Sequence, residues 1–200
     1  MKPLIRAALA ILLLTFGSAA MAAPGGKFYD PNTRKWIEYG PTNGSVSGKS
    51  PVRRQTVRYD GSYPVGTIIV DTKERRLYHV LPGGKAMKYG VGVGKQGFQW
   101  SGTHRITRKA EWPGWTPPSQ MRARERAKGR ILPAHMKGGP NNPLGARALY
   151  IGSTLYRIHG TNQPWTIGSA VSSGCIRLAN DDVVHLYKHV KVGSRVVVQR

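Results

Sequence analysis

One cysteine, Cys175, occurs in the 200 residues, so the chain closes no internal disulfide and its stability must come from packing. Acidic residues are also scarce, nine against 31 lysines and arginines. Long apolar runs are missing. Ala7 to Phe16 falls short of the ~20 residues that cross a bilayer, and no other stretch comes near that length. Together these shortages exclude a disulfide-stapled scaffold and a chain held in the membrane by a spanning helix.

What the N-terminus does contain is an address. Lys2 and Arg6 precede the apolar run, and small residues follow up to Ala20-Met21-Ala22, which fits the small-x-small rule of signal cleavage. Residues 1–23 are therefore expected to be a signal peptide, with a periplasmic mature protein exported across the inner membrane and left without a stable membrane anchor. No cysteine lies near the cleavage point to carry a lipid, and no paired arginines precede the apolar core. Losing Lys2 and Arg6 leaves 29 basic against 9 acidic side chains, net +20. Such a charge favours a polyanionic partner. Export argues against nucleic acid and leaves lipid head groups and cell-wall carboxylates, or simply a solvated basic surface.

About 177 residues make one domain with a tail. Residues 24–65 are rich in Gly, Pro, Ser and Asn with isolated aromatics, and they read as a flexible linker with room for a short strand near Lys35-Trp36-Ile37. From Gly66 onward, residues 66–200 carry short strand patterns between turn residues: Thr67 to Val70, Arg76 to Leu81, Ala86 to Gly94, Gly102 to Thr107, Ala148 to Gly152, Leu155 to Ile158 and Gly193 to Val198. A mainly β, sandwich-like domain follows. The glycines of Tyr89-Gly90-Val91-Gly92-Val93-Gly94 alternate with valines and precede no helix pattern, which suits a closely packed twisted strand and not a dinucleotide fingerprint. Between Ala110 and Arg147 the pattern lapses into a long irregular insertion holding Trp112, Trp115 and a brief basic helix over Met121 to Lys128; it is either a lid or a packed cover for the sheet. Asn180 reads as the N-cap of a helix whose apolar face is Val183, Leu186, Tyr187 and Val190. His185 and His189 lie four apart on that helix, without the glutamate a zinc protease needs, so no metal is assigned.

Cys175 itself follows the small polar run Ser172-Ser173-Gly174, which exposes a side chain on a tight turn more readily than it packs one. The competing reading is a small apolar core residue. His159 lies sixteen positions upstream, at the end of Arg157-Ile158-His159. A cysteine at its free pKa of roughly 8.5 is mostly thiol, so a nucleophilic role needs a base or positive charge nearby. Strands through Arg157-Ile158-His159 and Val171-Ser172-Ser173 lying side by side would bring the two together.

On these residues the chain resembles the L,D-transpeptidase family, with its YkuD-type catalytic domain. The family signature is a histidine, a gap, then Ser/Thr-His-Gly-Cys followed by an apolar residue and Asn or Arg. Here it reads His159-Gly160-Thr161, the gap, then Ser172-Ser173-Gly174-Cys175-Ile176-Arg177. The likeness runs from about Gly66 to Val198 and includes the Gly-Thr-Ile-Ile-Val-Asp opening, the Pro-Gly-Trp-Thr-Pro-Pro loop and the closing Val-Gly-Ser-Arg-Val-Val-Val. Ser173 stands where many members carry histidine, and the family's base matches His159.

The resemblance implies an enzyme that needs no cofactor. Cys175 would attack the peptide bond between diaminopimelate and the terminal D-alanine of a peptidoglycan tetrapeptide stem, with His159 moving the proton. The carbonyl of Gly160 would orient His159, and backbone N–H groups of Gly174 and Cys175 would hold the oxyanion. Arg177 would meet a substrate carboxylate or make a structural ion pair, and Ser173 and Trp115 are further substrate-binding candidates. The acyl acceptor would be another stem, an outer-membrane protein or lipoprotein amine, or water. A non-catalytic peptidoglycan-binding protein is the rival reading.

Overall fold

The computed structural model describes residues 50–200 and, before them, the backbone of residues 26–30 and 35–39. The expected signal peptide over residues 1–23 lies outside the described residues. Two units divide the chain, residues 1–45 and 46–200. In the first, β1 (Gly26–Asp30) and β2 (Lys35–Tyr39) pair antiparallel, with Gly26 opposite Tyr39 and Asp30 opposite Lys35. The strand anticipated near Lys35 is β2.

The second unit is mainly β, as expected. Its elements in chain order are β3 (Gln55–Arg58), β4 (Ile68–Asp71), β5 (Arg76–Leu81), β6 (Lys85–Gly90), β7 (Val93–Gly94), β8 (Gly102–Glu111), α1 (Ser119–Arg126), β9 (Arg147–Ile151), β10 (Arg157–His159), β11 (Ala170–Ser172), β12 (Ile176–Arg177), α2 (Asn180–His189) and β13 (Arg195–Gln199). Nine strands form one sheet in the order β12-β10-β9-β8-β13-β4-β5-β6-β3, and β11 and β7 form a separate parallel pair. Just past β6, Gly92 exchanges backbone hydrogen bonds with Arg177 of β12, at 2.9 and 2.8 Å. One end of the sheet thus curls round to meet the other.

The curl encloses a core of β-branched and leucine side chains. Ile68, Val70, Leu77, Ile106, Leu149, Ile151, Ile158, Ile176, Val196 and Val198 are all 2 % exposed or less, and Val183, Leu186 and Val190 of α2 close it. Fully burying a residue of this kind is worth roughly 1.5–3 kcal/mol. At the C-terminal end of α2, Lys109 Nζ donates to the carbonyls of Tyr187 and Val190, both at 2.7 Å. Those are carbonyls the last turn cannot satisfy internally.

Three expectations need correction. The linker is expected to run to residue 65, yet its last part is built into the fold: β3 pairs with β6, Val52 occupies the space where a side chain on Gly90 would stand, and Arg54 Nη1 meets Asp182 Oδ1 at 2.8 Å. An edge strand needs few apolar residues, because backbone pairing and one seated valine hold it. The stretch Ala86 to Gly94 is not one strand but β6 and β7, broken where Gly92 turns to β12. Asn180 is the first helical residue and not the cap, which is Ala179. Its side chain is buried, accepting from the Ala146 N–H at 2.9 Å and donating to the Thr161 carbonyl at 3.0 Å.

Candidate active site

The strand beside β10 is the one that follows Cys175, not the one that precedes it. β10 and β12 run parallel with Ile158 opposite Ile176 and His159 opposite Arg177, whereas β11 pairs with β7. The Ser172–Cys175 turn separates β11 from β12 and sends them to different partners. Ile158 and Ile176 are 0 % and 1 % exposed and face the core. Side chains alternate along a strand, so Arg157, His159, Cys175 and Arg177 project together to the opposite face. The cysteine and the histidine do share one end of the sheet, by a different pairing from that anticipated.

His159 is buried, and its Nδ1 lies 2.5 Å from the carbonyl oxygen of Gly160. A carbonyl only accepts, so Nδ1 carries the hydrogen and the lone pair sits on Nε2. Burial, with help from the Arg177 and Arg157 guanidiniums, pulls the His159 pKa down from 6.5 to about 3. The imidazole is therefore neutral and basic at Nε2 throughout the physiological range. The turn around it is braced from below, since a side chain on Gly160 would run into Asn180 Oδ1 and Val183.

Cys175 is half-buried, with Sγ 4.0 Å from the Leu155 carbonyl. Burial pushes its thiol above the ordinary range, while Arg157, through charge and hydrogen bonding, and the Arg177 charge pull the other way. The resting pair is thus neutral thiol and neutral imidazole, and sulfur becomes nucleophilic only as its proton leaves.

A network of hydrogen bonds shapes the cysteine turn. Ser172 Oγ donates to the Cys175 carbonyl at 2.6 Å and accepts from the Gly174 N–H at 3.1 Å. Trp100 Nε1 donates to the Gly174 carbonyl at 2.7 Å, and the Trp100 ring stacks on Tyr156 with centroids 4.5 Å apart and planes 4° from parallel. Gly174 has φ +107°, and a side chain there would strike the Tyr156 ring, so the turn demands glycine twice over. The Gly174 N–H, an expected oxyanion donor, is thus engaged by the Ser172 hydroxyl. The Cys175 N–H makes no hydrogen bond among the described residues.

The remaining sequence candidates divide. Ser173 Oγ accepts from Arg124 Nη2 at 3.3 Å, an arginine of α1 in the insertion. Arg177 Nη1 lies 3.5 Å from Gln163 Oε1 and flanks His159 across the strands. Trp115 is half-buried and tied by two 2.8 Å backbone hydrogen bonds to Met136, and among the described residues no hydrogen bond or ring contact links it to the cysteine turn. His185 and His189 lie on α2, where His185 Nδ1 meets the Tyr89 hydroxyl at 2.9 Å and the two rings are 4.5 Å apart. Sequence reasoning missed Arg157, Arg124, Trp100 and Tyr156, and it missed the double hydrogen bond of Ser172, which the Ser-x-Gly spacing could have signalled as a side-chain-to-backbone turn.

Comparison with known proteins bears on the family and the fold. The family described as YkuD, L,D-transpeptidase catalytic domain, matches residues 66–198. A curated relative, "Probable L,D-transpeptidase ErfK/SrfK" of Escherichia coli strain K12, is 43% identical over 136 residues, which is 66% of this chain. The chain spans only 43% of that relative's own length. A solved structure from Brucella melitensis described as a probable carnitine operon oxidoreductase is 46% identical and covers 78% of this chain and 99% of its own, with a TM-score of 0.50. L,D-transpeptidase 3 of Mycobacterium tuberculosis, solved with a faropenem-derived adduct, shares the fold at 16% identity and a TM-score of 0.50, covering 67% of this chain and 60% of its own. A match across residues 66–198, holding both the cysteine turn and the β10 histidine, means that this chain belongs to the YkuD family of L,D-transpeptidase catalytic domains.

Proposed function

We propose that this chain is an exported cysteine L,D-transpeptidase that works in the periplasm on tetrapeptide stems of peptidoglycan. The observation that carries the reading is the shared face of β10 and β12, where a half-buried thiol and a neutral, carbonyl-oriented imidazole stand among arginines. Cys175 Sγ attacks the diaminopimelate carbonyl that precedes D-alanine while its proton passes to His159 Nε2. The C–N bond then breaks, and the same proton goes to the departing D-alanine amine, leaving a thioester. An acceptor amine next forms a C–N bond as C–S breaks, and its proton returns through His159 to sulfur. The Cys175 N–H is the remaining backbone donor for the oxyanion, a kind of contact worth about 3 kcal/mol.

A stem amine as acceptor gives a cross-link, an amine of an outer-membrane protein or lipoprotein gives anchoring, and water gives a carboxypeptidase. Localisation rests on the N-terminal sequence, with the further fact that no helix among the described residues is long and apolar enough to cross a membrane. The oxidoreductase description of the Brucella relative is not carried over. The glycine-patterned stretch after β6 runs into Gly92, whose backbone bonds Arg177, and then into the two-residue β7, with no helix to receive a pyrophosphate.

Incubation with tetrapeptide muropeptides should release D-alanine, followed by mass spectrometry, and Cys175→Ala should release none while keeping the wild-type melting temperature. A carbapenem or faropenem should add its mass to the wild-type protein at Cys175, as the mycobacterial relative carries a faropenem-derived adduct. An unmodified, inactive wild-type protein that still binds peptidoglycan would replace this reading with a wall-binding module.

A further inference from the structure

The insertion between β8 and β9 brings a basic side chain to the cysteine turn, and its surroundings explain little of its charge. Arg124 lies in the last turn of α1 with its side chain 29% exposed. Its one hydrogen bond among the described residues goes to a neutral hydroxyl, Ser173 Oγ, at 3.3 Å, and its guanidinium sits 5.1 Å from the Phe98 ring centroid. Glu125 is the nearest acid, 3.8 Å from Arg124 Nε, but that carboxylate is already bonded by Arg130 and lies 3.6 Å from Lys128 Nζ. The buried Nε of Arg124 makes no hydrogen bond.

Arg157 repeats the pattern. It stands opposite the cysteine position in the β10–β12 register, its Nε is buried without a hydrogen-bond partner, and its guanidinium rests 5.4 Å from the Tyr150 ring. The other acids of the described residues lie elsewhere: Asp60 pairs with Arg58, Glu111 with Arg147 and Asp182 with Arg54, Glu74 accepts from Tyr78, Asp71 caps the following turn, and Asp181 opens α2. A half-buried guanidinium keeps most of its five donors only at a desolvation cost, which an incoming anion would offset. A planar carboxylate suits the guanidinium fork best.

We infer that Arg124, together with Arg157, forms a carboxylate-reading subsite over Cys175, so that the enzyme selects donor stems carrying a free carboxylate close to the attacked carbonyl. This rests on the transpeptidase reading and adds a specificity residue supplied by the insertion. Two carboxylates of a stem have that chemistry, the one on the departing D-alanine and the free one of diaminopimelate, and the experiment separates them.

Three synthetic donors test it: the stem with both carboxylates free, the same stem ending in D-alaninamide, and the same stem with its diaminopimelate carboxylate amidated. D-alanine or D-alaninamide release is followed as kcat/KM. The wild type should favour the free stem over one of the amides by about 10- to 100-fold, the range expected for a lost charge-assisted hydrogen bond. Arg124→Gln should erase most of that preference by slowing the free stem alone, and Arg124→Lys should keep part of it. Alkylation of Cys175 by neutral iodoacetamide should proceed at the wild-type rate in Arg124→Gln, showing an intact turn. Equal losses on all three donors in Arg124→Gln, or no preference in the wild type, would overturn the subsite and leave the transpeptidase standing. A wild type that releases nothing from any donor would end both.

Discussion

Two corners of the second unit carry histidine beside arginine, and they treat charge in opposite ways. Where α2 meets β6, the histidine and the arginine each meet a partner, although the second carboxylate oxygen of Asp182 is buried without a hydrogen bond. His185 Nδ1 meets the Tyr89 hydroxyl at 2.9 Å, and Arg54 meets Asp182 at 2.8 Å. At the end of β10 and β12 the arginines outnumber the acids, the imidazole keeps a lone pair on Nε2, and a thiol stands half-exposed. Both corners hold depressed histidine pKa values, about 4 for His185 and about 3 for His159, each chiefly from burial. A shifted pKa therefore does not distinguish the proposed active corner. What sets the proposed site apart is a half-buried thiol on the same strand face as an imidazole whose Nε2 lone pair is free of the Gly160 tie.

Exchanging the histidines tests the contrast most severely. His159→Gln should lower D-alanine release by about 10²- to 10⁴-fold, the usual worth of a positioned proton carrier. His185→Gln should leave kcat within about twofold. Comparable losses in the two variants would mean that the corners are not functionally distinct.

The pH dependence comes next. Because the His159 pKa falls from 6.5 to about 3, its basic form persists as the medium is acidified, and kcat/KM should show no inflection near pH 6.5 on its acid side. Stability moves the other way. Below 6.5 the unfolded chain takes up a proton that the folded one refuses, so stability is complete above that pH and declines toward pH 3, by at most about 1.4 kcal/mol per unit for His159. Denaturant titrations at pH 7 and pH 5 measure it, and unchanged midpoints would contradict the burial of a neutral imidazole.

The smallest effects belong to the neutralised corner. Asp182 is buried, and its carboxyl pKa is raised because burial outweighs the pull of Arg54. Arg54→Ala strands that carboxylate and should cost about 1–3 kcal/mol, whereas Asp182→Asn should change stability by less than about 1 kcal/mol. Both should retain activity. Urea unfolding and the muropeptide assay on the same samples check the pair, and a destabilised Asp182→Asn would show that the ion pair contributes more than its desolvation removes.

What was legible in the sequence follows from the same contrast. Cys175 stood out by rarity and His159 by its turn, and β-branched and aromatic runs between turn residues were enough to anticipate β4, β5, β8, β9 and β13. The partner of β10 was not readable, because β12 is two residues long and its parallel register is imposed by Gly92 and Leu178 as neighbours, through Arg177 and His159. Arg157 and Arg124 were invisible for a different reason: among 31 basic residues no single one announces itself, and only the fold sets these two against a thiol. Asn180 looked like a cap because local sequence favours one there. A buried tie between Ala146 and Thr161 claimed the side chain first.

The seating of residues 50–58 bears on any attempt to trim the molecule. A shortened version starting at residue 66, where the family match begins, would strip Val52 from its seat over Gly90 and leave β6 as a bare border with unpaired amides. Such a border invites self-association between copies. The smallest well-behaved domain should begin near Ser50, sixteen residues earlier than its kinship alone would advise.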